Sequence, residues 1–407
     1  MQRQNRETQP LPDSTPQPGP RSWRGWPIVG ALLAILMLGG LASGLWMYSS
    51  PAAAPELVDV ARAIFGPGAV AQVESWAFQA QDGLRQAHYR ATGNSSHTQW
   101  AAPPAAPLGA RPTAAAPASS PSSTAAPTPP ASSDSQSDPA SASALAWSPF
   151  VYSADGQPVL ERALISPDPT RPYVETALVR IDMRSTQIHL VAGTQEPISS
   201  VRTPRPGVIP VTDQRTGRLL AAFNGGFKAA NGDFGIFANG VTLLPPIDGL
   251  ATLAIYRDGH VRIGVWGSDM TSTPDMLAYR QNCPLLLDGG SLTAQADSDD
   301  PALWGRTVKN KIATWRSGLG LSIDGRYLIY AAGDGLTVPS LAQALAMGGA
   351  DRGMQFDINS WWIRFVTYAP SSASHRLVAQ KLLADMVGDA RQFLVPDTRD
   401  FFYLTAR

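Results

Sequence analysis

A single cysteine, Cys283, stands in the 407 residues. One thiol forms no internal disulfide. The five histidines (His88, His97, His189, His260, His375) are scattered, with no pair at metal-ligand spacing, so no structural zinc site is signalled either. Charge is also scarce: Asp, Glu, Lys and Arg make up 16% of the chain, below the usual share of about 25%. The 32 basic residues balance the 32 acidic ones to a formal net charge of zero. That balance argues against nucleic acid as a partner, which needs a basic surface. No metal or cofactor is expected, and stability must come from an ordinary apolar core.

What the sequence does hold begins with an uncharged run, Trp26 to Tyr48. About 20 apolar residues at helical rise cross a hydrocarbon layer. A buried core helix of that length would show a polar stripe, and this run shows none. Arg3, Arg6, Arg21 and Arg24 precede it, and the first charges after it are Glu56 and Asp59. The positive-inside rule therefore predicts a single-pass helix in the cell membrane, with a cytoplasmic N-terminus and an extracytoplasmic C-terminal part. A cleaved signal peptide is the competing reading, disfavoured by the long polar leader.

Composition divides the rest. Residues 1–25 read as a disordered cytoplasmic tail and 26–48 as the membrane helix. Residues 55–92 read as a juxtamembrane helical segment broken at Gly66-Pro67-Gly68. Residues 93–146 are rich in Ala, Pro, Ser and Thr, a composition that cannot bury enough surface to order itself and reads as a tether. The globular domain is expected over 147–407. Thr176–Met183 alternates, with Leu178, Arg180 and Asp182 on one face and Val179, Ile181 and Met183 on the other. Asp258-Gly259 and Asp324-Gly325 each separate strand-like runs, the signal for a type I′ turn. Thr337 and Pro339 open a helix whose apolar stripe is Leu341, Ala344 and Leu345, and Gly348-Gly349 closes it. The expected class is α+β: a strand-rich mixed domain with a few packed helices, preceded by one transmembrane helix.

Four places can carry chemistry. The Gly-rich stretch Asn224-Gly225-Gly226-Phe227-Lys228, continuing to Asn231 and Asp233, allows close backbone approach to a ligand; a series of β-turns explains it equally well. Leu285–Ser291 delivers Asp288 to a turn. Arg316 precedes a strand, and a guanidinium suits a phosphate because its planar fork donates two parallel hydrogen bonds; a surface ion pair is the plainer role. Asp334 and Asp357 end strands, where a carboxylate can serve as acid or base or simply cap a turn.

Taken in order, Asn224-Gly-Gly-Phe, Arg316-Ser-Gly-Leu-Gly, Gly333-Asp-Gly-Leu-Thr, a short helix, then Phe356-Asp resemble the phosphodiester glycosidase family over about Val174 to Tyr368. The resemblance implies a hydrolase acting on a sugar phosphodiester or related envelope glycan. It assigns Asp357, Asp334 and Arg316 to catalysis, with Arg316 holding the phosphate. Substrate contacts would come from Asn224, Gly225, Gly226, Lys228, Asp233, Asp288 and Asn359. Where the family reads Leu-Asp-Gly-Gly-Gly-Ser, this chain has Asp357-Ile-Asn-Ser-Trp-Trp, which narrows the space beside the backbone. The alternative is a non-catalytic glycan-binding or envelope-scaffolding module on the same fold. Exposed members of Trp266, Trp304, Trp315, Trp361 and Trp362 can stack on sugars, although core packing suits most of them. On the hydrolase reading, Arg316→Ala abolishes turnover and spares the fold.

Overall fold

The structure is a computed structural model and describes residues 64, 66, 80, 82–93, 98–101, 145–153, 155–297, 303–305, 313–371 and 377–407. Every described residue belongs to one compact unit, Leu57–Arg407. The expected tail (1–25), membrane helix (26–48) and most of the tether (102–144) lie outside the described residues. Among the described residues no helix is long and apolar enough to cross a membrane.

Strands dominate, with few helices. Eight of them form one sheet in the order Ser148–Tyr152, Pro158–Ile165, Thr176–Asp182, Tyr327–Leu336, Thr314–Leu321, Arg352–Gln355, Leu285–Asp288, Ser291–Leu292. A five-stranded sheet runs Val241–Leu244, Ile236–Ala238, Met276–Asn282, Ala251–Tyr256, Val261–Val265. Another runs Leu377–Lys381, Phe365–Pro370, Leu219–Asn224, Phe401–Ala406, Thr186–Val191. The alternation read in Thr176–Asp182 sorts its residues as expected. Leu178 packs with Leu341 and Leu345 of the helix Val338–Met347, whereas Val179, Ile181 and Met183 join the core shared with Phe223, Phe365 and Phe402. That core centres on an aromatic stack in which Phe223 lies 5.7 Å from Phe365 and 5.5 Å from Phe402.

Both Asp-Gly hairpins form, but not as type I′ turns. Gly259 and Gly325 take positive φ (87° and 67°), while Asp258 and Asp324 do not. Each aspartate instead accepts a hydrogen bond from the backbone N–H two residues on, His260 or Arg326, at 3.0 Å. Gly259 N–H closes on Tyr256 and Gly325 N–H on Ser322, both at 2.9 Å. This is the longer hairpin loop in which one left-handed glycine follows an ordinary turn; the carboxylate's local hydrogen bond favours it over a two-residue connection. The helix Val338–Met347 starts as read: Thr337 caps it reciprocally with Ser340, Pro339 sits in its first turn, and Gly349 (φ 92°) follows its end.

Segments expected to lie outside the domain touch it. Residues 82–92 are helical, with Asp82 2.5 Å from Arg171, Arg85 paired with Asp334, and Tyr89 beside Tyr173. Within the stretch read as tether, Trp100 bridges to Leu383, Ala101 N–H bonds Leu382 O at 3.1 Å, and Arg162 lies over the Trp100 ring at 4.4 Å. An indole in an Ala/Pro-rich segment is a docking residue, a distinction that averaged composition hides.

Candidate functional site

The site lies where the three sheets meet. The strand Leu219–Asn224 ends at Asn224, directly after the Phe223 stack. Asn224 spends its whole hydrogen-bonding capacity inside the protein. Its amide donates to Gly225 O (3.0 Å) and Ser317 Oγ (2.9 Å), and its oxygen accepts from the Tyr330 hydroxyl (2.9 Å) and Arg364 N–H (3.2 Å). The chain then turns through Gly225 and Gly226 against Asp400. Gly225 N–H bonds Asp400 O at 3.0 Å and Gly226 N–H its carboxylate at 3.3 Å. A Cβ on Gly225 would lie 2.0 Å from Asp400 Oδ2, so no other residue fits there. Arg280, fully buried, donates to Asp400 Oδ2 at 2.9 Å and to Phe227 O at 2.6 Å.

Asp357 follows the strand Arg352–Gln355 into the same corner. Its Oδ1 accepts Ile358 N–H (2.8 Å) and Asn359 N–H (2.9 Å), and its Oδ2 accepts Arg399 Nη2 at 2.8 Å. Arg399 also donates to Gly226 O at 2.8 Å and lies 4.9 Å over the Trp362 ring. Burial pushes the Asp397 carboxyl above the usual carboxylate range, outweighing the Arg399 N–H and the Gln392 amide that hydrogen-bond it. Asn224, Gly225, Gly226, Asp357, Asp397 and Arg399 wall a cavity of about 10 Å³, together with Trp362, Gln392, Phe393 and Asp400. Trp362 Nε1, Arg364 Nη1 and Arg399 Nε are buried with no hydrogen-bond partner among the described residues. Such donors favour an acceptor, whether water or an oxyanion. Two carboxyl groups in unlike surroundings beside a guanidinium can support acid–base chemistry on such a group.

The expected residues separate. Asn224, Gly225, Gly226 and Asp357 converge, whereas Asn359 does not line the cavity and serves as a turn residue whose Oδ1 accepts Trp361 N–H at 3.0 Å. Arg316 does not reach the cavity. It is fully buried, donating to Leu336 O at 3.0 Å and Gln355 Oε1 at 2.7 Å, and burial lowers its pKa to about 10. It lies in a strand buried throughout its length, so Arg316→Ala is expected to cost fold stability as well. Asp334 is also absent from the cavity wall and is paired with Arg85 of the docked helix. Lys228 precedes the 3-10 turn Ala229–Asn231, and Asp233 leaves it exposed with φ 50°. Asp288 is exposed and lies 3.1 Å from Arg352 Nε. Of the tryptophans, Trp266, Trp304 and Trp315 are buried, and Trp361 and Trp362 half-buried.

Sequence reasoning missed Arg280, Asp397, Arg399 and Asp400. The signal was present as Asp397-Thr-Arg-Asp400 set immediately before the apolar strand Phe401–Ala406. Charges that abut a buried strand have to be buried or capped with it.

No protein-family model matches the chain, and no curated protein matches it. Among solved structures it bears a distant structural resemblance to a zebrafish N-acetylglucosamine-1-phosphodiester alpha-N-acetylglucosaminidase catalytic domain auto-inhibited by pro-peptide. The identity is 14% and the TM-score 0.41, covering 64% of this chain and 88% of that one. A hypothetical protein from Synechocystis matches at 12% identity and TM-score 0.32, over 61% of this chain and 62% of that one.

Proposed function

We propose that the chain is a membrane-anchored, extracytoplasmic hydrolase of the phosphodiester glycosidase type, cleaving a sugar phosphodiester or a related envelope glycan. The observation that carries this reading is the shared cavity of Asp357, Asp397 and Arg399 beside the Gly225-Gly226 turn. The motif order that includes Asn224-Gly-Gly-Phe and Phe356-Asp supports the reaction class, and the uncharged run 26–48 supports the anchor. Arg399 takes the phosphate-binding role first given to Arg316. Asp397, whose burial favours the protonated form, serves as general acid towards the leaving oxygen. Asp357 orients Arg399 and accepts a proton from the attacking water. For a sugar to enter, the segment from Ile358 to Trp362 has to swing away.

A second reading, the glycan-binding or scaffolding module, is favoured by the size of the cavity. At about 10 Å³ it admits one water, and both oxygens of Asp357 are already engaged. Turnover of a chromogenic sugar phosphodiester by the full chain separates the readings. The hydrolase reading expects Asp357→Asn and Arg399→Ala each to lower the rate by about 100-fold or more. A wild-type chain that retains a glycan and never cleaves the phosphodiester belongs to the second.

A further inference from the structure

Beside the buried cavity is a roomier hollow that the hydrolase reading does not use. The loop following the strand Thr186–Val191 folds around an open pocket of about 510 Å³, lined by Thr194, Ser199, Arg202, Thr203 and Arg205 among others. That volume suits a small saccharide. The lining includes two guanidinium groups and no carboxylate. Arg205 is held by backbone carbonyls, donating to Pro197 O at 2.6 Å and Gln195 O at 3.2 Å, so its charge is fixed in place. The Thr194 and Ser199 hydroxyls donate to Asp397 O and Leu243 O. Arg202 and Thr203 make no hydrogen bond or ion pair with the described residues. Glu196, the acidic residue of this loop, is buried and turned to the Ala229 and Ile198 N–H groups at 3.0 and 3.1 Å.

We propose that this pocket binds an anionic saccharide, with the Arg202 fork and the Thr203 hydroxyl on the oxyanion and Arg205 supplying fixed positive charge. Donors without internal partners, a local excess of positive charge and a sugar-sized volume coincide there. The Thr194 hydroxyl bonds Asp397 O at 3.1 Å, so the pocket adjoins the buried cavity through one hydrogen bond. The assignment stands on the pocket itself and is read by binding, without turnover.

Calorimetric titration of the full chain with glucose 6-phosphate, glucuronate, inorganic phosphate and glucose tests it. The expected result is saturable binding of glucose 6-phosphate or glucuronate and none of glucose, the tighter of the two naming the oxyanion. Arg202→Ala weakens that binding about tenfold or more, and Arg202→Lys less. Asp357→Asn leaves it unchanged. The proposal is overturned if neither anionic sugar binds, if glucose binds equally, or if Arg202→Ala has no effect. It is likewise overturned if Asp357→Asn alone abolishes binding, since the ligand then sits in the buried cavity. A chain that binds as expected but hydrolyses nothing keeps the pocket and loses the enzyme.

Discussion

Asp357 with Arg399, and Asp334 with Arg85, join the same two functional groups in unlike surroundings. The first pair is 5% and 8% exposed, and the neighbouring Asp400–Arg280 pair is 0% and 1%. The pair at Asp334 is 21% and 17% exposed. In the buried corner, backbone N–H groups and carbonyls add hydrogen bonds to each of these charges, so their positions are fixed by several partners at once. At the docked helix, water can replace either partner. Burial therefore sets the cost of losing a partner, and the two regions should respond very differently to the same mutation.

The largest effect is expected at Arg280. Arg280→Met leaves the Asp400 carboxylate buried with only the Gly226 N–H, and Phe227 O without its donor. Loss of one partner of such a pair costs about 3–5 kcal/mol, to be read from denaturant unfolding. The double variant Arg280→Met/Asp400→Leu should recover much of that, because the uncompensated charge is gone. A loss no larger than that of a surface pair would erase the distinction between the two corners.

A second, smaller effect is tied to pH. Because burial raises the folded-state pKa of Asp397, the native chain holds this proton more tightly than the unfolded chain does. The group's contribution is therefore present at low pH and is lost as pH rises through the raised value. Asp397→Asn, permanently neutral, should flatten the part of the stability profile that lies above the ordinary aspartate range. Wild type and variant with parallel profiles would remove Asp397 from the role of acid.

Much of the fold was legible because periodicity reports local burial. The faces of Thr176–Asp182, the Thr337 cap and both hairpin positions follow from patterns within ten residues of chain. The site was legible only in part. Asn224, Gly225 and Gly226, which wall the cavity, stand out in the sequence because a turn that no side chain can enter leaves glycines there. Arg316 lies outside the cavity, and a lone arginine in a sequence reads the same whether it faces a ligand or the Leu336 carbonyl. Arg399 and Arg280 come from strands and loops far apart in sequence, and their partners are fixed by the meeting of three sheets. No local pattern encodes that meeting. The turn type at Asp258 was missed for a subtler reason: the same Asp-Gly pair serves two hairpin loops, and the aspartate's own hydrogen bond selects between them.

The smallest expected effect is at Arg85. Its guanidinium meets Asp334 across 249 residues of sequence, with both side chains partly open to water. Arg85→Ala should cost about 0.2–1 kcal/mol of global stability, since solvent takes over both charges. Its local consequence is larger than that figure implies. Residues 82–92 are held to the domain by this pair, by Asp82 with Arg171 and by Tyr89 against Tyr173, so losing one attachment raises the population in which the helix lifts away. Amide exchange over 82–92 should quicken in Arg85→Ala while exchange in the strand Phe401–Ala406 stays as in wild type. Asp334→Asn should produce the same pattern, because it breaks the same contact from the other side. If turnover of the sugar phosphodiester survives both substitutions, Asp334 is an anchor for the helix and has no part in the reaction.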